Sequence, residues 1–254
     1  QGIDIGSPSL SVLSPVKVLL VGGTDISQYE AGEMRFYLEH TLDIPLTIIE
    51  KIRLNHVDLA RYTHIILVDG NYHSFDEATV NKLRSYLESG GVIYGQKHGA
   101  KWLADSRLLK ARFASRNSIL SMYQDDDLTF QQRDEVAAKQ RIAGAIYETS
   151  VDLSHPLTFG YDKKTLPVFK NNTLILEKIN MPFSKVLSYT KKPLLSGYTD
   201  QKIVDRISQE PMLAAHRLGK GRVVASSDNL LFRGYWLGTS KLIANSLFFA
   251  KAFD

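Results

Sequence analysis

The chain has no cysteine. Disulfides, thiolate metal sites and cysteine nucleophiles are therefore excluded, while a reducing and an oxidising compartment both stay open. No apolar run approaches the ~18 residues of a membrane-spanning helix. A charge tail is also missing: 31 basic and 27 acidic residues leave a net +4. That small, dispersed excess gives no support to nucleic-acid binding. No internal repeat or low-complexity segment occurs. What remains is ordinary globular composition, 44% hydrophobic and 23% charged over 254 residues, enough for one large α/β domain. The first residue is Gln1, and residues 1–15 are rich in glycine, serine and proline. They read as a linker, which predicts a fragment of a longer or processed protein with one domain over 16–254.

The most informative stretch runs from Gly90 to Trp102, G-G-V-I-Y-G-Q-K-H-G-A-K-W. A short apolar run meets a glycine-bracketed turn, Gly95-Gln96-Lys97-His98-Gly99, and then a helix start. Glycines flanking the central residue relieve crowding in a strained strand-to-helix turn, the form of a nucleophile elbow. Its centre is Lys97, where acyl transfer needs Cys or Ser.

Around this turn the pattern alternates strands and helices. Val16 to Val21, Pro45 to Ile49, His64 to Val68 and Val92 to Tyr94 read as buried strands. Ala31, Met34, Leu38 and Leu42 fall at helical spacing within a helix from Ser27 to Thr41. Ser74-Phe75-Asp76-Glu77 matches a capping box for a helix ending near Glu88. These spacings predict an α/β fold with a doubly wound, mostly parallel sheet. Residues 108–141 break the pattern and read as an irregular insertion. Strand-like runs follow at 144–151, 165–169, 173–176 and 185–189. Met212 to Arg217 and Arg222 to Ser226 form a C-terminal hairpin through Gly219-Lys220, and Ser240 to Ala250 is a closing helix.

In such a sheet, loops after parallel strands gather in one crevice. The candidate ligand-binding residues are therefore Gly70 and Asn71, offering amides, Lys97 and His98 at the elbow, and Asp228 and Asn229 after the last strand. The alternative is that these glycines only make turns. As scaffold, Lys97 is expected to face solvent or pair with Asp69 or Asp228, an exposed pair worth about 0–1 kcal/mol. As a catalytic group it would be buried with a lowered pKa. No H-x-x-E occurs among seven histidines, and the two H-x-x-D pairs, His40 with Asp43 and His73 with Asp76, do not make a three-ligand zinc site. Asp125-Asp126-Asp127 lacks the alternation of a calcium loop. The G-K-G-R of Lys220 and Arg222 is no Walker loop.

Several segments in order resemble one family: V-K-V-L-L-V-G-G, A-G-E-M-R-F-Y-L, G-G-V-I-Y-G, H-P-L-T-F-G-Y, P-L-L-S-G-Y, G-K-G-R-V-V and F-R-G-Y-W-L-G-T. Together they are similar to the class I glutamine amidotransferase-like (flavodoxin-like) fold. More narrowly, they resemble the C-terminal domain of secreted bacterial carboxypeptidase A-like zinc metallopeptidases. That resemblance implies a non-catalytic accessory domain in a secreted or periplasmic protein, packed on an upstream peptidase domain that would hold the zinc. It implies no catalytic residue, metal or cofactor in this segment. Where the amidotransferase fold places its cysteine stands Lys97, and where it places a catalytic His stand Asp228 and Asn229. A small-molecule enzyme or ligand sensor using the crevice at Lys97 and His98 is the competing reading.

Overall fold

A computed structural model describes residues 15–124, 128–177, 179 and 181–252. The reading of 1–14 as linker and of Asp125-Asp126-Asp127 as a solvated turn lies outside the described residues. The strands are β1 (Val18–Gly22), β2 (Leu46–Glu50), β3 (His64–Leu67), β4 (Val92–Gln96), β5 (Ala145–Val151), β6 (Thr165–Lys170), β7 (Lys185–Gly197), β8 (Pro211–Leu218) and β9 (Gly221–Ser226). The α-helices are α1 (Gln28–Phe36), α2 (Glu77–Glu88), α3 (His98–Asp105), α4 (Arg116–Leu120), α5 (Gln132–Lys139), α6 (Gln201–Ile207) and α7 (Leu237–Phe248).

The nine strands of the described residues form one sheet in the order β2-β1-β3-β4-β9-β8-β7-β5-β6. The first five run parallel, with Leu20 opposite Ile66, Ile66 opposite Tyr94 and Tyr94 opposite Val224. Every residue of β1, β3, β4 and β9 is buried. Their unbroken apolar runs need cover on both faces, which is why they read so plainly in the sequence. The other pairings, β9 with β8, β8 with β7, β7 with β5 and β5 with β6, are antiparallel. The sheet is thus mixed, and the mostly parallel expectation is corrected. The cause is the hairpin: β8 turns back on β9 through Gly219-Lys220, and each later neighbour adds to that reversed edge.

Local chemistry explains the other departures. Asp76, not Ser74, caps α2, because its Oδ1 accepts both the Thr79 amide at 2.8 Å and the Thr79 hydroxyl at 2.7 Å. The helix from Gln28 ends at Phe36 and continues as one π-helical turn over Tyr37–Thr41. Residues 173–176 are no strand; Leu176 makes only an isolated bridge to Phe113. Asn172 holds that segment in a turn, its Oδ1 accepting the Leu174 amide at 2.8 Å. β7 extends to Gly197 because register shifts let it bend along β5. The described part of the insertion carries the short helices α4 and α5 between irregular segments.

His64, at the start of β3, is 5% exposed. Burial, with Lys251 adding to it, lowers its pKa to about 4. The unfolded imidazole titrates near 6.5. Its contribution is therefore fully present above about pH 6.5 and lost as pH falls toward 4, because only the unfolded chain takes up the proton. Urea denaturation at pH 7, 5.5 and 4.5 is expected to show a steady loss. In His64→Gln that slope should flatten; an unchanged slope would assign the loss to other groups.

Candidate functional site

The elbow predicted at Lys97 is present as backbone geometry. β4 ends at Gln96, α3 begins at His98, and Lys97 between them has φ 51° and ψ −116°. A side-chain residue in that region is strained by about 1–3 kcal/mol and persists only where its surroundings hold it. Here the Lys97 amide donates to the Ser226 carbonyl at 2.9 Å. The two glycines allow the helix to press on the sheet. A Cβ at Gly99 would lie 2.2 Å from the Leu67 carbonyl oxygen, and one at Gly95 would lie 2.6 Å from Leu103 Cδ1.

Lys97 itself is 7% exposed. Its Nζ sits 2.8 Å from Glu30 Oε1 and 2.7 Å from Asp69 Oδ2. The Glu30 carboxylate also accepts the Gln96 amide group at 2.7 Å and the Asp69 backbone N–H at 3.1 Å. Gln96 in turn accepts the Tyr94 hydroxyl at 3.0 Å. Desolvation works against the Lys97 ammonium, yet Glu30 and Asp69 outweigh it and raise its pKa above the ordinary value. The lysine is buried and charged. It pairs with Asp69, as the scaffold reading expects, but from a buried position and with Glu30 as a second partner; it is not the lowered-pKa base of the catalytic reading.

Asp69 occupies the other side of the elbow. Its Oδ1 lies 2.6 Å from His98 Nδ1 and accepts the His98 backbone N–H at 3.2 Å. Burial pushes the Asp69 carboxyl up, but the His98 hydrogen bond and the Lys97 ammonium prevail and hold it far below the usual carboxylate range. In an elbow enzyme the amide after the nucleophile is an oxyanion donor. In this chain a carboxylate of the protein already takes it.

The six candidate residues divide into separate places. Gly70, Asn71 and His98 line one crevice, together with Lys101 and Trp102. The Asn71 amide donates to the Asp25 carbonyl at 2.9 Å and is not free for a ligand. Asp228 does not meet Lys97. It is fully buried against Lys170 Nζ at 2.9 Å, with the Asn172 side-chain amide at 3.2 Å and the Tyr189 hydroxyl on its other oxygen. Asn229 binds Glu33, its side-chain amide 2.6 Å from Oε2. Burial raises the Glu33 carboxyl, and its hydrogen bond from Asn229 only partly offsets this. Among the described residues no group of three or more His, Asp or Glu side chains is placed to hold a metal.

Glu30 and Lys170 were not singled out by sequence, although both carried a signal. Glu30 precedes Met34 by one helical turn and so lies on the apolar stripe of α1, where a carboxylate needs a partner. Lys170 follows Leu166 and Val168 at period two, on the buried face of β6.

The sequence matches no protein-family model and no curated protein. Solved structures do resemble its fold. A ThuA-like protein from Parabacteroides merdae superposes with a TM-score of 0.62 at 15% identity, covering 92% of this chain and 89% of that one. PurLQS from Thermotoga maritima gives 0.57 at 14% identity over 92% and 98% of the two chains. The β-galactosidase of Bacillus circulans gives 0.50 at 10% identity, covering 92% of this chain but 31% of that one. At these identities the likeness concerns fold alone, and it fits an α/β, amidotransferase-like architecture.

Proposed function

We propose that this chain is a catalytically silent amidotransferase-like module that serves as an accessory domain. One observation carries the reading: Asp69 fills the elbow's amide while Lys97, at the nucleophile position, is held as a buried ammonium by two carboxylates. A protonated amine has no lone pair for attack, and no described histidine follows β9 to act as base. The β-galactosidase match supports the accessory role by analogy, since there the fold makes up about a third of a longer hydrolase. The motif resemblance noted above supports a narrower form: packing on, or positioning, the peptidase domain of a secreted zinc carboxypeptidase. Zinc would then belong to that domain.

The expected result is that the purified chain releases no ammonia from glutamine, frees no C-terminal residue from peptides, and retains no stoichiometric zinc after dialysis. Turnover by this chain, lost on chelation or on changing Lys97, would overturn the reading. The reading frame that contains the segment tests the narrower form, which requires chelator-sensitive carboxypeptidase activity in the full product.

A further inference from the structure

A crevice of about 680 Å³ is walled by α3, the loop after β3 and the inserted helices α4 and α5. That volume lies within the usual range of small-molecule sites. Its apolar lining includes Tyr72, Trp102, Ile119 and Leu174. The aromatic part is fixed in place: the Tyr72 hydroxyl donates to the Val68 carbonyl at 2.8 Å, the Tyr72 and Trp102 rings lie 6.0 Å apart, and Phe75 meets Trp102 edge-on at 5.1 Å. Such a surface is formed before any ligand arrives, which lowers the ordering cost of binding.

The charges in the lining do not balance. Lys101 and Asp105 pair with each other at 2.5 Å, and Asp105 is the only carboxylate among the described lining residues. Arg116 and Arg141 line the same crevice and form no ion pair among the described residues. Among the described residues, two guanidinium groups without counter-charge therefore line the crevice beside a preformed apolar surface. Guanidinium forks match the planar oxygen pair of a carboxylate, and aromatic rings favour an apolar or aromatic body beside it. Of the backbone amides at this crevice, that of Asn71 is bound to Asp25 and that of His98 to Asp69, which leaves the arginine side chains as the main anion donors.

We propose that this crevice binds an organic carboxylate bearing an aromatic or apolar group, with Arg116 and Arg141 taking the carboxylate and Trp102 and Tyr72 the body. The site uses neither Lys97 chemistry nor the elbow amide, so it stands independently of the accessory-domain reading. The carboxylate could come from a free acid or from the end of a peptide chain.

The test is calorimetric titration with N-acetyl-phenylalanine, N-acetyl-phenylalanine amide, and a pentapeptide ending in phenylalanine with a free carboxylate. Saturable binding of at least one carboxylate probe is expected, with the amide at least ten-fold weaker. Arg116→Ala combined with Arg141→Ala should weaken the carboxylate probe at least ten-fold while the melting temperature stays unchanged. Preference for the pentapeptide would identify a chain end as the source, and preference for the acetylated amino acid a free acid; either supports the site. No binding at millimolar probe, equal binding of acid and amide, or unaltered binding by the double variant would overturn it. Because both arginines are exposed, their replacement does not threaten the fold, and the acid-against-amide comparison needs no variant at all.

Discussion

Lys97→Ala is expected to destabilise the protein by about 3–5 kcal/mol, the cost of removing one partner from a buried ion pair. In a domain of this size each kcal/mol moves the melting temperature by roughly 2–4 °C, so a fall on the order of 10 °C follows. The reason is what the lysine leaves behind. Glu30 is 6% exposed and Asp69 faces it across the vacated ammonium. Two carboxylates would then share one poorly solvated site, each raising the cost of ionising the other. A second comparison separates electrostatics from backbone strain. Lys97 has φ 51°, so Lys97→Gly relieves strain that Lys97→Ala retains and should melt higher by about 1 kcal/mol equivalent. Adding Glu30→Gln to Lys97→Ala should recover part of the loss. A Lys97→Ala protein within about 1 kcal/mol of the parent would show that the pair behaves like an exposed one.

The same cluster fixes a pH response. The Asp69 carboxyl is lowered in the folded state, so its contribution is present above the unfolded value near 3.9 and is lost as pH falls below it. The Lys97 value is raised, so its contribution is complete below about 10.4 and is lost as pH rises beyond that. Between these limits the Lys97–Asp69 pair stays charged on both sides.

How far the chain could be read in advance depended on burial. β1, β3, β4 and β9 declare themselves because a strand covered on both faces must be apolar throughout. The elbow was legible for a related reason, since Gly95 and Gly99 occur where a Cβ would meet the packed helix or the neighbouring strand. The antiparallel half was less so. β5 alternates between buried and partly exposed positions, and β7 is irregular against both neighbours, so the runs look like separate short strands. α6 leaves little mark in the sequence, although Asp200 caps it and Ile203, Val204 and Ile207 form its buried face. Its seven residues are too few for periodicity to stand out. The site's partners were hidden by sequence distance. Position predicted that Asp69 and Asp228 could both reach Lys97, because each follows a parallel strand. Whether a carboxylate at the sheet edge turns toward one lysine or another depends on tertiary packing, and here Lys170 claims Asp228.

That second pair supports the other large expected effect. Lys170→Met should lower stability by about 3–5 kcal/mol, again on the order of 10 °C in melting temperature. Both side chains are 0% exposed. Besides Asp228, Lys170 Nζ donates to the Leu174 carbonyl at 2.8 Å and to Asn172 Oδ1 at 3.3 Å. The ammonium thus ties the end of β6 to the turn beyond it and to the loop after β9. Burial lowers the Lys170 pKa although Asp228 draws it up. Taking away the cation strands a carboxylate that keeps only neutral donors, the Tyr189 hydroxyl and the Asn172 amide. A double-mutant cycle isolates the charge term. Asp228→Asn alone should also destabilise, but Lys170→Met with Asp228→Asn should cost less than the two single losses together, by roughly 0.5–3 kcal/mol of coupling. Additive single and double variants, or a Lys170→Met protein that melts within about 2 °C of the parent, would mean that the ion pair does not hold the two halves of the sheet together.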